Sequence, residues 1–241
     1  HGKNHHTEGC FVECVLSFKI MDEKGVILNC SREENSDKFW ATIGGMGLTG
    51  IILSAKIKLK NIESAYIRQE SIKAENLNEI FRLFEESEDW TYTVAWIDCL
   101  QKGKNIGRSI LMRGEHALKV ELPFKLADKP LRLKKKFSPT VPFYFPKFVL
   151  NKFTVKAFNF LYFNKQRPKV VKNIIDYETF FYPLDAINDW NRIYGKSGFI
   201  QYQMVIPKEK GEEGMRRILE TIANSGQGSF LAVLKLFGKN N

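Results

Sequence analysis

A repeat of two in apolar and polar residues recurs along this chain, and each instance predicts a strand with one buried face. Val12, Cys14, Leu16, Phe18 and Ile20 alternate with Glu13, Ser17 and Lys19; Asp22 to Gly25 then turns the chain and Val26 to Leu28 returns as a hairpin. Ile51, Leu53, Ala55, Ile57 and Leu59 alternate with Ser54, Lys56, Lys58 and Lys60. Trp90, Tyr92, Val94, Trp96 and Asp98 alternate with Thr91, Thr93, Ala95 and Ile97, so Trp96 and Asp98 share a face. Ser109 to Met112 reads as another strand. Ile200, Tyr202, Met204 and Ile206 form one face of a further one, with Gln201 and Gln203 opposite, and Leu231, Val233, Lys235 and Phe237 share a face of the last. Two buried amides on one face would need partners, in the protein or in a ligand. A lysine among three apolar residues is odd for a plain core, and at a sheet edge it reaches for water.

The helical repeat appears between these strands. Phe39, Trp40 and Ile43 fall on one side of a short helix capped by Asn35 or Ser36. Asn76 caps a second, whose Leu77, Ile80, Phe81 and Phe84 stand at i, i+3, i+4 and i+7. Phe181, Pro183 and Leu184 precede a short helix through Ala186 to Ile193, ended by Gly195; Met215, Ile218, Leu219 and Ile222 mark the last, stopped near Gly226. The mixture predicts an α+β protein, and a change of character near Asn61 to Tyr66 puts a domain boundary there.

Between the first helix and the third strand lies Gly44-Gly45-Met46-Gly47-Leu48-Thr49-Gly50, four glycines in seven residues. Lacking Cβ atoms, such a run can take positive φ and let a ligand approach the main chain, or it can simply turn tightly. A dinucleotide fingerprint of the Rossmann kind needs a strand before the glycines and a helix after them; here the order is reversed, which excludes NAD bound in that manner.

Length and charge sharpen this picture. The 241 residues can bury a core in one large domain or two modest ones. The sequence opens without Met, inside a His-Gly-Lys-Asn-His-His run, and reads as an internal fragment of a longer protein. The net charge of +10 is concentrated: Pro123 to Lys172 holds thirteen Lys or Arg against Asp128 alone, so the remainder is slightly acidic. The same stretch holds six of the eight prolines and eleven Phe or Tyr, which argues against a continuous helix or sheet before Lys147. Interleaved aromatic and basic residues suit nucleic acid, an anionic membrane surface, or a loop packed by its own Phe residues. No RNP, zinc-finger or helix-turn-helix pattern accompanies them, so no nucleic acid is expected. Cys10, Cys14, Cys30 and Cys99 have neither CxxC spacing nor the density of a disulfide scaffold, and fit a reducing cytoplasm. His1, His5 and His6 sit in a polar loop; either they are solvated or they bind metal, and no ligand spacing such as HExxH accompanies them, so none is assigned.

The run Phe39-Trp40-Ala41-Thr42-Ile43-Gly44-Gly45-Met46-Gly47-Leu48-Thr49-Gly50-Ile51-Ile52, with His1-Gly2-Lys3-Asn4-His5-His6 upstream, closely resembles the FAD-linked oxidases of the vanillyl-alcohol oxidase superfamily. The resemblance continues through Phe180-Phe181-Tyr182-Pro183-Leu184-Asp185, Asp189-Trp190-Asn191-Arg192, Gly198-Phe199-Ile200-Gln201-Tyr202-Gln203 and Lys235-Leu236-Phe237-Gly238, so it covers nearly the whole chain. It is greatest with members that serve as the flavin subunit of an epimerase acting on a lipid-linked sugar. It implies an α+β architecture: residues 1–65 as the second half of a PCMH-type FAD-binding domain, then 66–241 as a substrate domain with an antiparallel sheet flanked by helices. The basic aromatic stretch 123–163 would be a mobile lid and membrane dock within the latter.

The resemblance also implies roles. His1 and Gly2 would touch a flavin held without a covalent bond, and Gly47, Gly50 and Ile52 would lie along its adenosine and pyrophosphate side. Lys3, Trp96, Leu184, Gln203, Lys235 and Phe237 would line the substrate pocket, with Lys235 and Gln203 nearest the chemistry; the general base would lie beyond Asn241. Val94 stands where the nearest members of the family usually carry a small polar residue. The implied activity is FAD-dependent oxidation of a secondary hydroxyl of a polyprenyl-phosphate-linked pentose, the first half of an epimerisation used in making a cell-wall arabinan precursor. Its partner would be a reductase of the short-chain dehydrogenase type, and its location cytoplasmic or peripheral on a bacterial inner membrane. A soluble sugar, aldonolactone or alditol is the alternative substrate.

Overall fold

A computed structural model describes residues 5–134 and 136–238. They form two compact units, one of residues 5–61 with 236–238 and one of residues 62–235. The division falls a few residues before the expected boundary at 65, and the C-terminal residues rejoin the first unit. Gly238 explains the return: a Cβ there would come within 2.4 Å of the His6 carbonyl oxygen, so only glycine lets the two segments lie this close.

The first unit is a three-stranded antiparallel sheet in the order β2-β1-β3, with β1 Val15–Met21, β2 Ile27–Ser31 and β3 Ile51–Ile57, and one helix, α1 Ser36–Thr42. The hairpin is as predicted: the Asp22 carboxylate accepts from the Lys24 and Val26 amides, and Gly25 takes φ +78°. Asn35 precedes α1, but its side chain donates to the Asn29 carbonyl instead of capping the helix. Val15, Phe18, Ile20, Cys30 and Phe39 form the core, with the Phe18 and Phe39 rings stacked at 5.3 Å.

Two expectations change here. Residues Phe11–Cys14 form a 3-10 turn, and an irregularity between Val15 and Ser17 shifts the register, so Val15 is buried and Leu16 exposed. Strand β3 is exposed along its whole length on both faces, because α1 and the core lie over β1 and β2 and no described residue covers it.

The second unit is an antiparallel sheet in the order β7-β4-β6-β5-β8. Its strands are β4 Tyr66–Ala74, β5 Tyr92–Ile97, β6 Ser109–His116, β7 Val170–Asp176 and β8 Val233–Leu234. Helices α2 Leu77–Glu85, α3 Phe124–Ala127, α4 Lys152–Lys165, α5 Tyr177–Phe181 and α6 Gly211–Ser225 accompany it. Helix α2 starts as predicted: Asn76 accepts from the Glu79 amide while Glu79 accepts from the Glu75 amide, and Leu77, Ile80, Leu83 and Phe84 are buried. Helix α6 ends at Gly226 with φ +70°.

Three further readings are corrected. The alternation at 200–206 makes no strand: the segment pairs with neither sheet, and Ile200, Tyr202 and Val205 are exposed coil. The helix expected over 186–193 is two 3-10 turns, Pro183–Ala186 and Trp190–Tyr194, separated where Asp189 takes φ +54°. The stretch 123–163 is not one long loop. Leu122, Leu126 and Leu133 pack with Tyr66, and Asn151 and Thr154 form a reciprocal cap that starts the fourteen-residue helix α4 in a proline-free part of the segment.

Candidate functional site

Each unit carries one part of the candidate site. In the first, the glycine bend is open: Gly44 (φ +72°) and Gly47 (φ +81°) would have nothing within 4 Å of an added Cβ, and Met46 between them is also left-handed at φ +56°. Among the described residues, the Met46 and Gly47 amides have no backbone partner. Gly50 is different, since a Cβ there would meet the Met21 carbonyl oxygen at 2.3 Å. Packing of the bend onto β1 therefore already requires glycine at that position. Ile52 pairs with Ile20 in the sheet and is half exposed. An open bend with unengaged amides and no intruding side chain fits the phosphate-bearing part of FAD.

His1, Gly2 and Lys3 lie outside the described residues. His5 Nδ1 accepts from the Thr7 and Glu8 amides, and its ring stacks on His6 at 4.7 Å, so it closes a local turn. Phe237 lies in the first unit, half-buried.

In the second unit the site is built on β5. Trp96 is buried, its indole donates to the Phe230 carbonyl at 2.9 Å, and Tyr162 of α4 packs on it at 4.7 Å. From there rings follow in contact: Tyr162 on Phe158, Phe158 on Phe230, Phe230 on Tyr194, and Tyr194 on Phe199. Burial pushes the Tyr162 and Tyr194 phenols up from their ordinary range, so at neutral pH they stay protonated.

Beneath this wall lies a buried polar knot. Asp98, 1 % exposed, accepts from Arg108 Nε at 3.1 Å and Nη2 at 2.8 Å, from Gln101 Nε2 at 2.8 Å and from Asn159 Nδ2 at 2.8 Å. Phe163, one turn beyond Asn159, receives the Arg108 guanidinium at 4.8 Å and the Lys73 ammonium at 4.1 Å over its ring. Helix α4 is thus fastened to β5 and β6. Nothing in periodicity marked it, but an Asn between Phe158 and Phe160, and an Asp closing an apolar strand, are signals of this kind.

The other expected residues scatter. Lys235 follows β8, whose Val233 pairs with Trp96, so strand pairing brings the two toward one sheet edge. Leu184 is half-buried in a 3-10 turn after Phe180 and Phe181, which pack on Tyr92 at the opposite end of β5. Gln203 lies in exposed coil. A cavity of about 420 Å³ beside Tyr66 gathers Lys125, Lys129, Arg132 and Lys134 with Asp128, a setting for an anionic group.

The chain is similar to FAD-linked oxidases. Over all of its length it is 39% identical to decaprenylphosphoryl-beta-D-ribose oxidase of Mycolicibacterium smegmatis, of which it covers 53%. Shorter matches are to cytokinin dehydrogenase 3 of Arabidopsis thaliana, 48% identical over 46 residues, 19% of this chain and 9% of that one, and to the FAD-linked oxidoreductase easE of Claviceps purpurea, 29% identical over 76 residues, 31% of this chain and 16% of that one. No family model matches. The chain spans about half the length of the full-length relative it matches.

Proposed function

We propose that the protein containing this chain uses non-covalently bound FAD to oxidise a secondary hydroxyl of a pentose carried on a polyprenyl phosphate. The observation that carries this reading is an overall identity of 39%, in an alignment that spans the whole chain and so takes in its basic aromatic stretch, with an enzyme named decaprenylphosphoryl-beta-D-ribose oxidase. A soluble sugar would give that stretch no partner.

When bound, FAD supplies the hydride acceptor for the alcohol carbon. The open amides at Met46 and Gly47 would hold its pyrophosphate side, with His1, Gly2, Gly50 and Ile52 along it. The aromatic wall on Trp96 would stack on the apolar face of the sugar and exclude water. Lys235 would bear on the ionising hydroxyl or the sugar phosphate. The keto product would pass to a short-chain-type reductase.

One substitution tests the flavin half. Gly47→Val in the full-length protein should cost at least about tenfold in flavin affinity, since the added side chain fills an open bend, while its strain at φ +81° lowers the melting temperature of the flavin-free protein without unfolding it. Unchanged flavin retention would remove the bend from the site. For the substrate, turnover of a polyprenylphosphoryl ribose but not of an aldonolactone or alditol is expected; the reverse preference would replace the proposed substrate with a soluble one.

A further inference from the structure

We propose that α4 is an interfacial helix whose outward side, formed by Phe153, Ala157, Phe160 and Leu161, docks on an anionic lipid surface. This rests on the proposed function only in that a polyprenyl-borne substrate must be met at a bilayer.

Apolar residues occur on every side of the helix, among three lysines, two asparagines and a threonine, yet only one side of it is covered. Val155, Asn159 and Phe163, at i, i+4 and i+8, are buried against the sheet by the Asp98 knot and the cations over Phe163. The opposite side, at i, i+4, i+7 and i+8 from Phe153, exposes Phe153 by 79%, Phe160 by 57% and Leu161 by 67%. A helix of this composition suits a buried or membrane-facing setting, not open water.

Charge complementarity selects the occupant. Lys152, Lys156 and Lys165 are exposed on the same helix, and from Lys129 through Ile175 the chain contains no Asp or Glu. Lysines flanking an apolar helix side can keep their ammonium groups among lipid headgroups while their stems follow the Phe and Leu residues inward. The surface is a single convex helix of about 21 Å, without a groove to define the shape of a protein partner. A bilayer needs no such shape.

The basic run at Leu131–Phe137 is less suited to the same task. Lys136 is held by Asp176 and Thr179, and Tyr66 holds the Arg132 carbonyl, so the run is fastened to the sheet. The docking element is the helix that follows it.

The test uses the full-length protein with phosphatidylcholine vesicles, with and without phosphatidylglycerol. Binding should require phosphatidylglycerol, weaken with salt, and fall at least about tenfold in Phe160→Asp/Leu161→Asp and in Lys156→Glu/Lys165→Glu. These four residues are exposed, so both variants should keep their flavin and their turnover of a short-chain, detergent-soluble phosphopentose. Those two readouts follow the enzyme reading separately from docking. An environment-sensitive dye on Leu161→Cys, compared with the parent protein labelled alike, should shift to shorter wavelength on anionic vesicles only; this needs no disruptive substitution. The proposal is overturned if binding is unchanged in both α4 variants, if it disappears only in Lys125→Glu/Lys134→Glu, or if Phe160→Asp/Leu161→Asp dissolves a dimer without altering vesicle binding.

Discussion

The two sheets of this chain end in opposite conditions. In β4 six of nine residues are buried, flanked by β6 and β7, whereas in β3 all seven are exposed, including Ile51, Ile52, Leu53 and Ile57. Alternation reports that a segment can pair as a strand; it does not report what covers it. The difference extends to charge. The second sheet buries ions, with Asp98 held by Arg108, and Glu70 by Arg113 at 2.7 Å and Lys172 at 2.7 Å, while the first relies on ion pairs such as Lys60–Glu8 that stay half in water. Exposed pairs contribute little, and buried ones are costly to break.

The largest effect should follow from breaking the knot. Arg108→Ala leaves the Asp98 carboxylate buried without its cation and should destabilise the second unit by about 3–5 kcal/mol, read by chemical denaturation. A loss below about 1 kcal/mol would mean that water or Gln101 suffices.

Acid should act next, and on the second sheet. Burial would raise the Glu70 carboxyl, but hydrogen bonds from Lys172 and Arg113 outweigh it and hold it below its ordinary 4.5. Its stabilising share is therefore complete above that value and is lost as pH falls through the lowered folded-state value. Asp176 behaves alike: burial opposes, but Lys136 and Thr179 prevail. Glu70→Gln should flatten the acid limb of a melting-temperature profile; an unchanged limb would assign it to other carboxylates.

The smallest effects separate the two faces of the first sheet. Ile20→Val, at a fully buried site, should cost about 0.5–1.5 kcal/mol, while Leu53→Ser on β3 should stay within about 0.5 kcal/mol. Equal losses would show that β3 is covered in solution.

Most elements were legible in the sequence because their signals are local. Asn76 with Glu79, the Asp22–Gly25 turn and the Gly226 stop each act within a few residues, and the structure has them as read. The misreadings share a non-local cause. Ile200 to Ile206 alternates well enough, but it pairs with neither sheet. Helix α4 was hidden by the prolines before it and by a composition that shows no polar side, since its position depends on Asp98, 61 residues earlier. The openness of the glycine bend was legible because it is a backbone property of Gly44 and Gly47. The ring contacts around Trp96 join segments from Trp96 to Phe230, a range no periodicity spans.

The hydrogen bonds to Asp98 also differ in reach, and that sets an order of assembly. Arg108 closes a loop of ten residues that forms together with the β5–β6 pair, while Asn159 must return across 61. Short loops close first, so the aspartate already has its guanidinium when α4 arrives. The helix is a late attachment to the β5–β6 pair. Strands β7 and β8, whose partners in β4 and β5 lie farther away along the chain, close longer loops still.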